Sequence, residues 1–386
     1  MFFVKDLEKR NFRISFIEII ISQDMNPFLP LVFLHSIGFT QRTLIRIFEN
    51  EENYEKFYNN LGATSLQKVG YRDDKISLLL ENKAKLDTVK ITNLLEKLQV
   101  QIVTIHHPLY PTLLREAPVH PYFLYIRGTL PTHTNLLSVV GSRKSTSYSR
   151  TVLTNIIPEL VQRGYGIISG GAYGVDTLAH KITIENGGYA LAVFGTGIDR
   201  CYPKENKDFF NNILKSGGAL VSPFPIGMGP EPYNFPIRNE VVAGISRGTL
   251  VTEAAEKSGT IITAGLALDF GRDVFAIPGD ITKATSSGTN ILIRDGQAKL
   301  IINASDILSE YETETSTQGN IVVKKIPKFD DPIEASIYEI LKTESMSISS
   351  MEDILNADVS IIAFKLSMME VRGIVEMGMD GNYHVH

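Results

Sequence analysis

From residue 136 onward the chain repeats one pattern. A short run of branched apolar residues is followed by a glycine-containing break, then by a stretch whose apolar residues recur every three or four positions. Leu136–Val140 is the first such run, as a strand buried on both faces requires. It breaks at Gly141-Ser142-Arg143-Lys144, and Ser145, Thr146 and Ser147 each suit a helix N-cap. Val152, Ile156, Ile157, Leu160 and Val161 then line one helical face, which ends near Gly164. A second strand, Gly166–Ser169, runs into Gly170-Gly171, and another helix opens at about Val175. Further strands are expected at Tyr189–Phe194, Ala219–Ser222, Gly248–Thr252, Asp273–Ile277 and Ala298–Ile302, with helical stretches between most of them. Two more precede the series, at Val100–Ile105 and Tyr122–Ile126. The array predicts the α/β class, a doubly wound, mostly parallel Rossmann-like sheet.

On either side of the sheet the pattern changes. Residues 26–95 read as a small helical module, with Pro27–Leu34 and Gln41–Phe48 joined by a turn at Ser36–Thr40. Arg42 and Arg46 after that turn suit a helix-hairpin-helix (SAM-like) module, which offers backbone N–H groups to phosphates. Ser36 stands where its second glycine belongs, which favours a plain packing module. Residues 1–25 are expected to be an N-terminal extension and 96–308 the extended Rossmann-like domain. Residues 309–329 begin SEYETETSTQGN, the composition of a linker. Residues 330–386 show helical periodicity around Ile333–Leu341, Met351–Leu355 and Ile361–Met369, then a hairpin across Asp380-Gly381. That is the layout of a winged helix.

Composition narrows the classes. Of 386 residues, 43% are hydrophobic and 21% charged, as in ordinary globular proteins. Cys201 is the only cysteine, so no disulfide framework or cysteine-rich metal site exists, and a reducing cytoplasm fits. The apolar run Phe16–Ile21 is short and carries Glu18, so no membrane anchor is expected. His106 and His107 lack partners at ligand spacing; neither a metal nor a cofactor is expected. A net charge of −5 excludes a generally basic, DNA-coating protein. Any nucleic-acid site is therefore a local groove.

The candidate chemistry lies where strands feed helices. Glycine lets backbone approach a ligand, and helix N-termini favour phosphate. Arg143 adds a planar donor fork. In open α/β sheets such loops share one edge, so Gly141, Ser142, Arg143, Lys144, Gly170 and Gly171 mark an anion-binding edge. The bland alternative is that these glycines only turn the chain tightly. A dinucleotide fingerprint fits poorly, since Gly141-Ser142-Arg143 has only one of its glycines and Arg200 replaces the third in the Gly195-Thr196-Gly197 loop. The loop Pro223–Pro236 holds five prolines and two glycines, so neither strand nor helix is expected there. It delivers Phe235, Arg238 and Asn239 to the same edge, Phe235 being either a base-stacking face or a plug beneath the loop. Glu253 and Ser258-Gly259-Thr260 form the next loop.

The winged-helix layout suggests DNA, but its charges object. Residues 330–386 carry eleven acidic and three basic side chains, about −8, whereas residues 134–305 carry sixteen basic and fourteen acidic. Phosphate contacts dominate duplex affinity, so a protein-binding or regulatory role is expected for this tail.

The ordered motifs VVGSRKSTSYSR, ISGGAYGVDTLAH, AVFGTGIDRCYPKEN, FPIRN, VTEAAEKSGTIITA, FAIPGD and GTNILIRDGQAKL resemble the bacterial DprA/Smf family. The resemblance runs from about Asn26 to the C-terminus and is most specific in the central domain. It implies a DNA-processing protein of recombination and natural transformation that binds and protects single-stranded DNA. It also implies a homodimer that helps load the RecA recombinase and catalyses no reaction. Carried over residue by residue, Gly141-Ser142-Arg143 is the phosphate-binding loop, with Gly170-Gly171 beside it. Phe235, Arg238 and Asn239 stand in the family's F-x-x-R-N motif. Two positions depart from the pattern: Tyr173 stands where a basic residue is common, and Glu240 where a second arginine is common. Both lower the local positive charge, although Tyr173 offers a stacking face instead. The enzyme alternative is a nucleotide-processing hydrolase of a related fold, with Glu253 as general base near Gly259-Thr260. Its motif order is reversed here and Glu253 has no evident partner.

Overall fold

The computed structural model describes residues 26–48, 53–131, 135–311, 329, 331–343, 345–355, 357–372, 374–378 and 381–385. The expected N-terminal extension and most of the expected linker lie outside these residues. The chain divides into two units, Met1–Tyr311 and Glu312–His386.

The first unit opens with α1 (Leu29–Ile37), α2 (Gln41–Phe48), α3 (Tyr54–Asn59), α4 (Ala63–Lys68), α5 (Asp73–Lys85) and α6 (Thr88–Lys97). Then come β1 (Gln101–Thr104), α7 (Thr112–Glu116), β2 (Phe123–Gly128), β3 (Leu136–Val140), α8 (Ser147–Gln162), β4 (Gly166–Ser169) and α9 (Val175–Glu185). They are followed by β5 (Ala190–Val193), α10 (Lys207–Lys215), β6 (Ala219–Ser222), α11 (Asn234–Ile245), β7 (Gly248–Val251) and α12 (Gly259–Asp269). The unit ends with β8 (Asp273–Ala276), α13 (Ala284–Arg294), β9 (Lys299–Leu300) and α14 (Ser305–Tyr311).

These strands form one nine-stranded sheet in the order β1-β2-β6-β5-β4-β3-β7-β8-β9. From β6 to β9 every pairing is parallel, while β2 pairs antiparallel with both β1 and β6. The chain steps outward from β3 through β4 and β5 to β6, and then α11 carries it back to β7 on the other flank of β3. The order reverses there. At such a reversal the loops leaving neighbouring strands diverge and open a crevice.

Side chains alternate across the sheet with the two-residue period of a strand. Leu137, Val139, Ile167, Leu250 and Phe275 pack with Leu153, Leu160, Leu178 and Ile307 from α8, α9 and α14. Their neighbours Ile168, Leu191, Val193, Val221 and Val251 share the opposite core with Val241, Val242, Ala264 and Ala267 of α11 and α12. The N-terminal helices join a third core, where Leu31, Leu34 and Leu44 meet Phe123, Tyr125, Ala192 and Phe210. Gln41 fastens them to the sheet. Its amide nitrogen donates to the carbonyls of Phe123 (3.2 Å) and Pro223 (3.0 Å), and its amide oxygen accepts from the N–H groups of Tyr122 (2.9 Å) and Phe123 (3.3 Å).

Most expected strands appear within a residue or two, but three expectations shift. The stretch expected as strand over Ala298–Ile302 contributes only Lys299–Leu300 to the sheet. The proline-rich loop ends earlier than expected, because Asn234-Phe235-Pro236 form the first turn of α11. A proline is tolerated there since first-turn N–H groups have no intrahelical acceptor. Ser309–Tyr311, expected as linker, complete α14, where the Tyr311 ring packs against Phe275 and under the Arg247 guanidinium at 4.2 Å.

The second unit comprises α15 (Pro332–Thr343), α16 (Ile348–Leu355), α17 (Val359–Val371), β10 (Val375–Met377) and β11 (Tyr383–Val385). The two strands pair antiparallel, with Glu376 opposite His384. Ile337, Leu341, Met351, Ile362, Leu366 and Met369 form its core. No helix among the described residues is long and apolar enough to cross a membrane.

Replacing Gln41 with Leu removes four hydrogen bonds at a partly buried junction. Unfulfilled backbone groups cost about 1–3 kcal/mol. The urea midpoint is therefore expected to fall with an unchanged slope; an unchanged midpoint would show that the helices are not anchored there.

Candidate nucleic-acid interface

The loop after β3 is held from two sides. Ser142 Oγ accepts from the Lys144 N–H at 3.1 Å, which tightens the turn, and the Ser142 carbonyl accepts from Val175 N–H at 3.1 Å. Gly174, at φ +77°, makes that approach possible, since a Cβ there would overlap the Ser142 and Arg143 carbonyls. On the other side Thr260 Oγ1 donates to the Gly141 carbonyl at 3.0 Å. A Cβ on Gly141 would come within 2.6 Å of Thr252 Oγ1 and 2.7 Å of Val175. Arg143 and Lys144 project from this clamped turn and are exposed.

Across the reversal point, Glu253 follows β7 and is buried, with 2% exposure. Its carboxylate accepts from Thr146 N–H (3.1 Å), Thr146 Oγ1 (2.8 Å) and Ser149 Oγ. An anion in that position neutralises the positive end of α8. Thr146 is the N-cap, its Oγ1 also accepting from Tyr148 N–H at 3.1 Å. These three donors give Glu253 a structural role at the start of α8.

Arg238 is placed differently from the expectation that brings it to the DNA-facing edge. It is buried, with 6% exposure. Its Nη1 donates to the carbonyls of Gly170 and Val193 (2.9 Å), and its Nε donates to Asn239 Oδ1 at 2.9 Å. The guanidinium thus ties the C-terminal ends of β4 and β5. Burial pulls its pKa down, and the Asp176 carboxylate works the other way. Burial in turn raises the pKa of Asp176, against the Arg238 charge and the hydrogen bond from Ala172 N–H at 3.2 Å. Gly170 and Gly171 are also buried rather than open to a ligand. A Cβ on Gly170 would overlap the Arg238 guanidinium, and one on Gly171, at φ +64°, would press within 2.8 Å of Phe210. These glycines make room for side chains.

Phe235 stands between the buried layer and the surface. Half-buried in the first turn of α11, it lies 5.4 Å below the Arg143 guanidinium and 5.9 Å from that of Arg238. Gly195 seats it, since a Cβ there would come within 3.0 Å of the ring. Tyr202, on the loop after β5, packs beside it at 5.9 Å and is 42% exposed. Tyr173 is 45% exposed, and its hydroxyl donates to the Glu205 carboxylate, a bond that pushes the phenol up to about 12. Glu240 is half-buried; burial raises its pKa and the Arg42 charge opposes that shift. Asn239 Oδ1 accepts from Arg238. Ser258 and Gly259 open α12, and the Ser258 side chain makes no capping bond.

Tyr202 and Tyr233, the latter 61% exposed, are absent from the sequence expectations. Each sits in an irregular loop at the strand ends, where no periodicity marks a residue; an aromatic in a proline- and glycine-rich loop is the available signal.

The model of the DNA recombination-mediator protein A family matches residues 101–312, which is more than half of the chain. This chain belongs to that family. It is 33% identical to DNA processing protein DprA of Streptococcus pneumoniae over 286 residues, covering 72% of this chain and 96% of the relative. It is 37% identical to Protein Smf of Escherichia coli over 219 residues, covering 56% of this chain and 58% of the relative. The chain therefore spans little more than half the length of that relative. The X-ray structure of DNA processing protein A from Streptococcus pneumoniae superposes with a TM-score of 0.63 at 31% identity, covering 75% of this chain and 99% of that one. Within the recombination-mediator domain, the clamped turn, the buried arginine and the aromatic rim all lie inside the matched residues.

Arg238→Ala takes the donor from the Gly170 and Val193 carbonyls at a buried site, and an unpaired buried group costs about 1–3 kcal/mol. Arg238→Lys recovers only part, because an ammonium lacks the second nitrogen that holds Asn239 while the first meets both strand ends. Urea unfolding checks both; a fully stable Arg238→Ala that has lost only ligand binding would return Arg238 to the ligand-contacting set.

Proposed function

We propose that this chain is a single-stranded DNA-binding recombination mediator whose site is the C-terminal edge of the parallel sheet, and that it catalyses no reaction. The observation that carries the reading is the pairing of exposed Arg143 with the half-buried Phe235 ring at the strand-order reversal. Binders of single strands combine cationic groups that follow the backbone with aromatic faces on which bases stack, at about 1–3 kcal/mol per base. Arg143 and Lys144 supply the charge. Phe235, Tyr202, Tyr173 and Tyr233 supply the faces. Ser142, the Gly141 turn and the Ser258-Gly259-Thr260 helix start supply backbone donors. Arg238, Asn239, Gly170 and Gly171 act beneath this surface by holding it in place. The engagement of Glu253 by Thr146 and Ser149 argues against the hydrolase alternative. The family resemblance supports natural transformation and homologous recombination in the cytoplasm, a homodimer, and delivery of the coated strand to the RecA recombinase. It also supports reading α1–α6 as a helix-hairpin-helix or SAM-like module and the second unit as a winged helix, separated from the Rossmann-like domain by the 309–329 linker.

Arg143→Ala is expected to weaken binding of a dT20 oligonucleotide by more than about tenfold, since a charged contact contributes about 1.5–3 kcal/mol. Its unfolding midpoint should stay unchanged, because the side chain is exposed. Anisotropy titration with dT20 and a 20-base-pair duplex gives both numbers. Tighter binding to the duplex, or an unaffected Arg143→Ala, would place the site elsewhere.

Removing residues 321–386 takes away a charge of about −5. Single-strand affinity is expected to hold or rise slightly, and the difference to fade as salt shortens the screening length to about 10 Å at 0.1 M. Loss of binding by a well-folded truncated chain would make the second unit a DNA reader.

A further inference from the structure

The second unit carries an apolar helix face that its own core does not use. On α17, Ile362, Leu366 and Met369 are buried. Ile361, Phe364 and Met368 recur at the same helical spacing on another face and are 44%, 62% and 44% exposed. A helix that is apolar on two faces buries both in its working state, and an exposed patch of this kind marks an interaction surface.

The charges around the stripe say what kind of partner fits. Each basic side chain of residues 330–386 stands beside a carboxylate of the same unit. Lys365 meets Asp331 at 2.7 Å and Glu334 at 3.6 Å, Arg372 meets Glu334 at 2.6 Å, and Lys342 lies 3.8 Å from Glu339. The bases on α17 are therefore turned toward α15 and its N-terminus, away from a phosphate backbone. Asp358, at the start of α17 and one turn before Ile361, is exposed. A duplex meets an acidic surface with no free guanidinium among the described residues. A second copy meets its own charge of about −8. A cationic, apolar segment of another protein meets complementary charge and an anchor.

We infer that the face of α17 bearing Ile361, Phe364 and Met368 is a docking surface for a protein partner that presents an amphipathic segment with lysine or arginine on its rim. Aromatic and long apolar side chains at the centre of such a contact dominate its affinity, with charges setting partner choice and encounter rate. The inference is independent of the single-strand site, which lies in the other unit.

The test uses the full chain and an 18-residue leucine–lysine amphipathic helical peptide, labelled for anisotropy, in 0.15 M salt. Controls are the same peptide with leucines replaced by serine, and a 20-base-pair duplex. Phe364→Ser/Met368→Ser removes only exposed groups, so circular dichroism and dT20 affinity should be unchanged. The expected result is saturable binding of the leucine–lysine peptide that falls by about tenfold or more in the double variant, with the serine peptide binding no better to wild type than to the variant. Three results would overturn the inference. The first is equal peptide affinity for wild type and variant, which makes the attraction purely electrostatic. The second is a wild-type dimer in sedimentation that the double variant dissociates, which makes the occupant a second copy. The third is duplex affinity that the variant loses, which makes the face a DNA reader.

Discussion

A guanidinium buried between two strand ends is the constraint on which the rest of the interface depends. Arg238 is 6% exposed, yet it meets the carbonyls of Gly170 and Val193, the side chain of Asn239, the charge of Asp176 and the face of Phe235. A buried charge is tolerated only when paired and hydrogen-bonded, so each neighbour is fixed in turn. Position 170 must lack a Cβ, because that volume belongs to the guanidinium. Asp176 stays in the first turn of α9, and Phe235 in the first turn of α11. Two crossover helices and two strands are thereby locked at one point.

The exposed layer inherits that rigidity. Arg143 rests over Phe235 and leaves a turn that Val175 N–H and Thr260 Oγ1 hold from opposite sides. A donor fork and a ring fixed before a ligand arrives lose little conformational freedom on binding. The scaffold also gives carboxylates near the site structural tasks. Glu253 closes the N-terminus of α8, and Glu205 accepts from Tyr173. Arg143 and Lys144 remain exposed at the reversal point.

The sheet was legible in the sequence because its strands are unbroken branched runs between glycine-containing breaks, and fully buried parallel strands have that form. The positions of the strands along the chain followed from it; their order in the sheet did not. What misled was local. Five prolines over Pro223–Pro236 made Phe235 look like part of a loop, although a proline in the third position of a helix costs nothing there. Arginine in a polar stretch reads as exposed, and nothing in one-dimensional spacing reveals that Gly170 vacates space for Arg238. Tyr202 and Tyr233 escaped notice for the opposite reason: their role comes from where irregular loops lie, and irregular loops have no period. In the second unit, the apolar residues of α17 gave a helix and no more, and only folding separates Ile362 and Leu366 from Phe364 and Met368.

In the proposed function a single strand of DNA crosses the loops that leave β3 and β5 and the first turn of α11. Photocrosslinking with an oligonucleotide carrying 5-iodouracil, followed by mass spectrometry of the crosslinked peptides, tests that placement most directly. Crosslinks are expected at Phe235, Tyr202, Tyr173 or Tyr233, suppressed by excess unlabelled dT20 and not by duplex. Crosslinks confined to α1–α6 or to residues 331–385, with none at those aromatic positions, would contradict it.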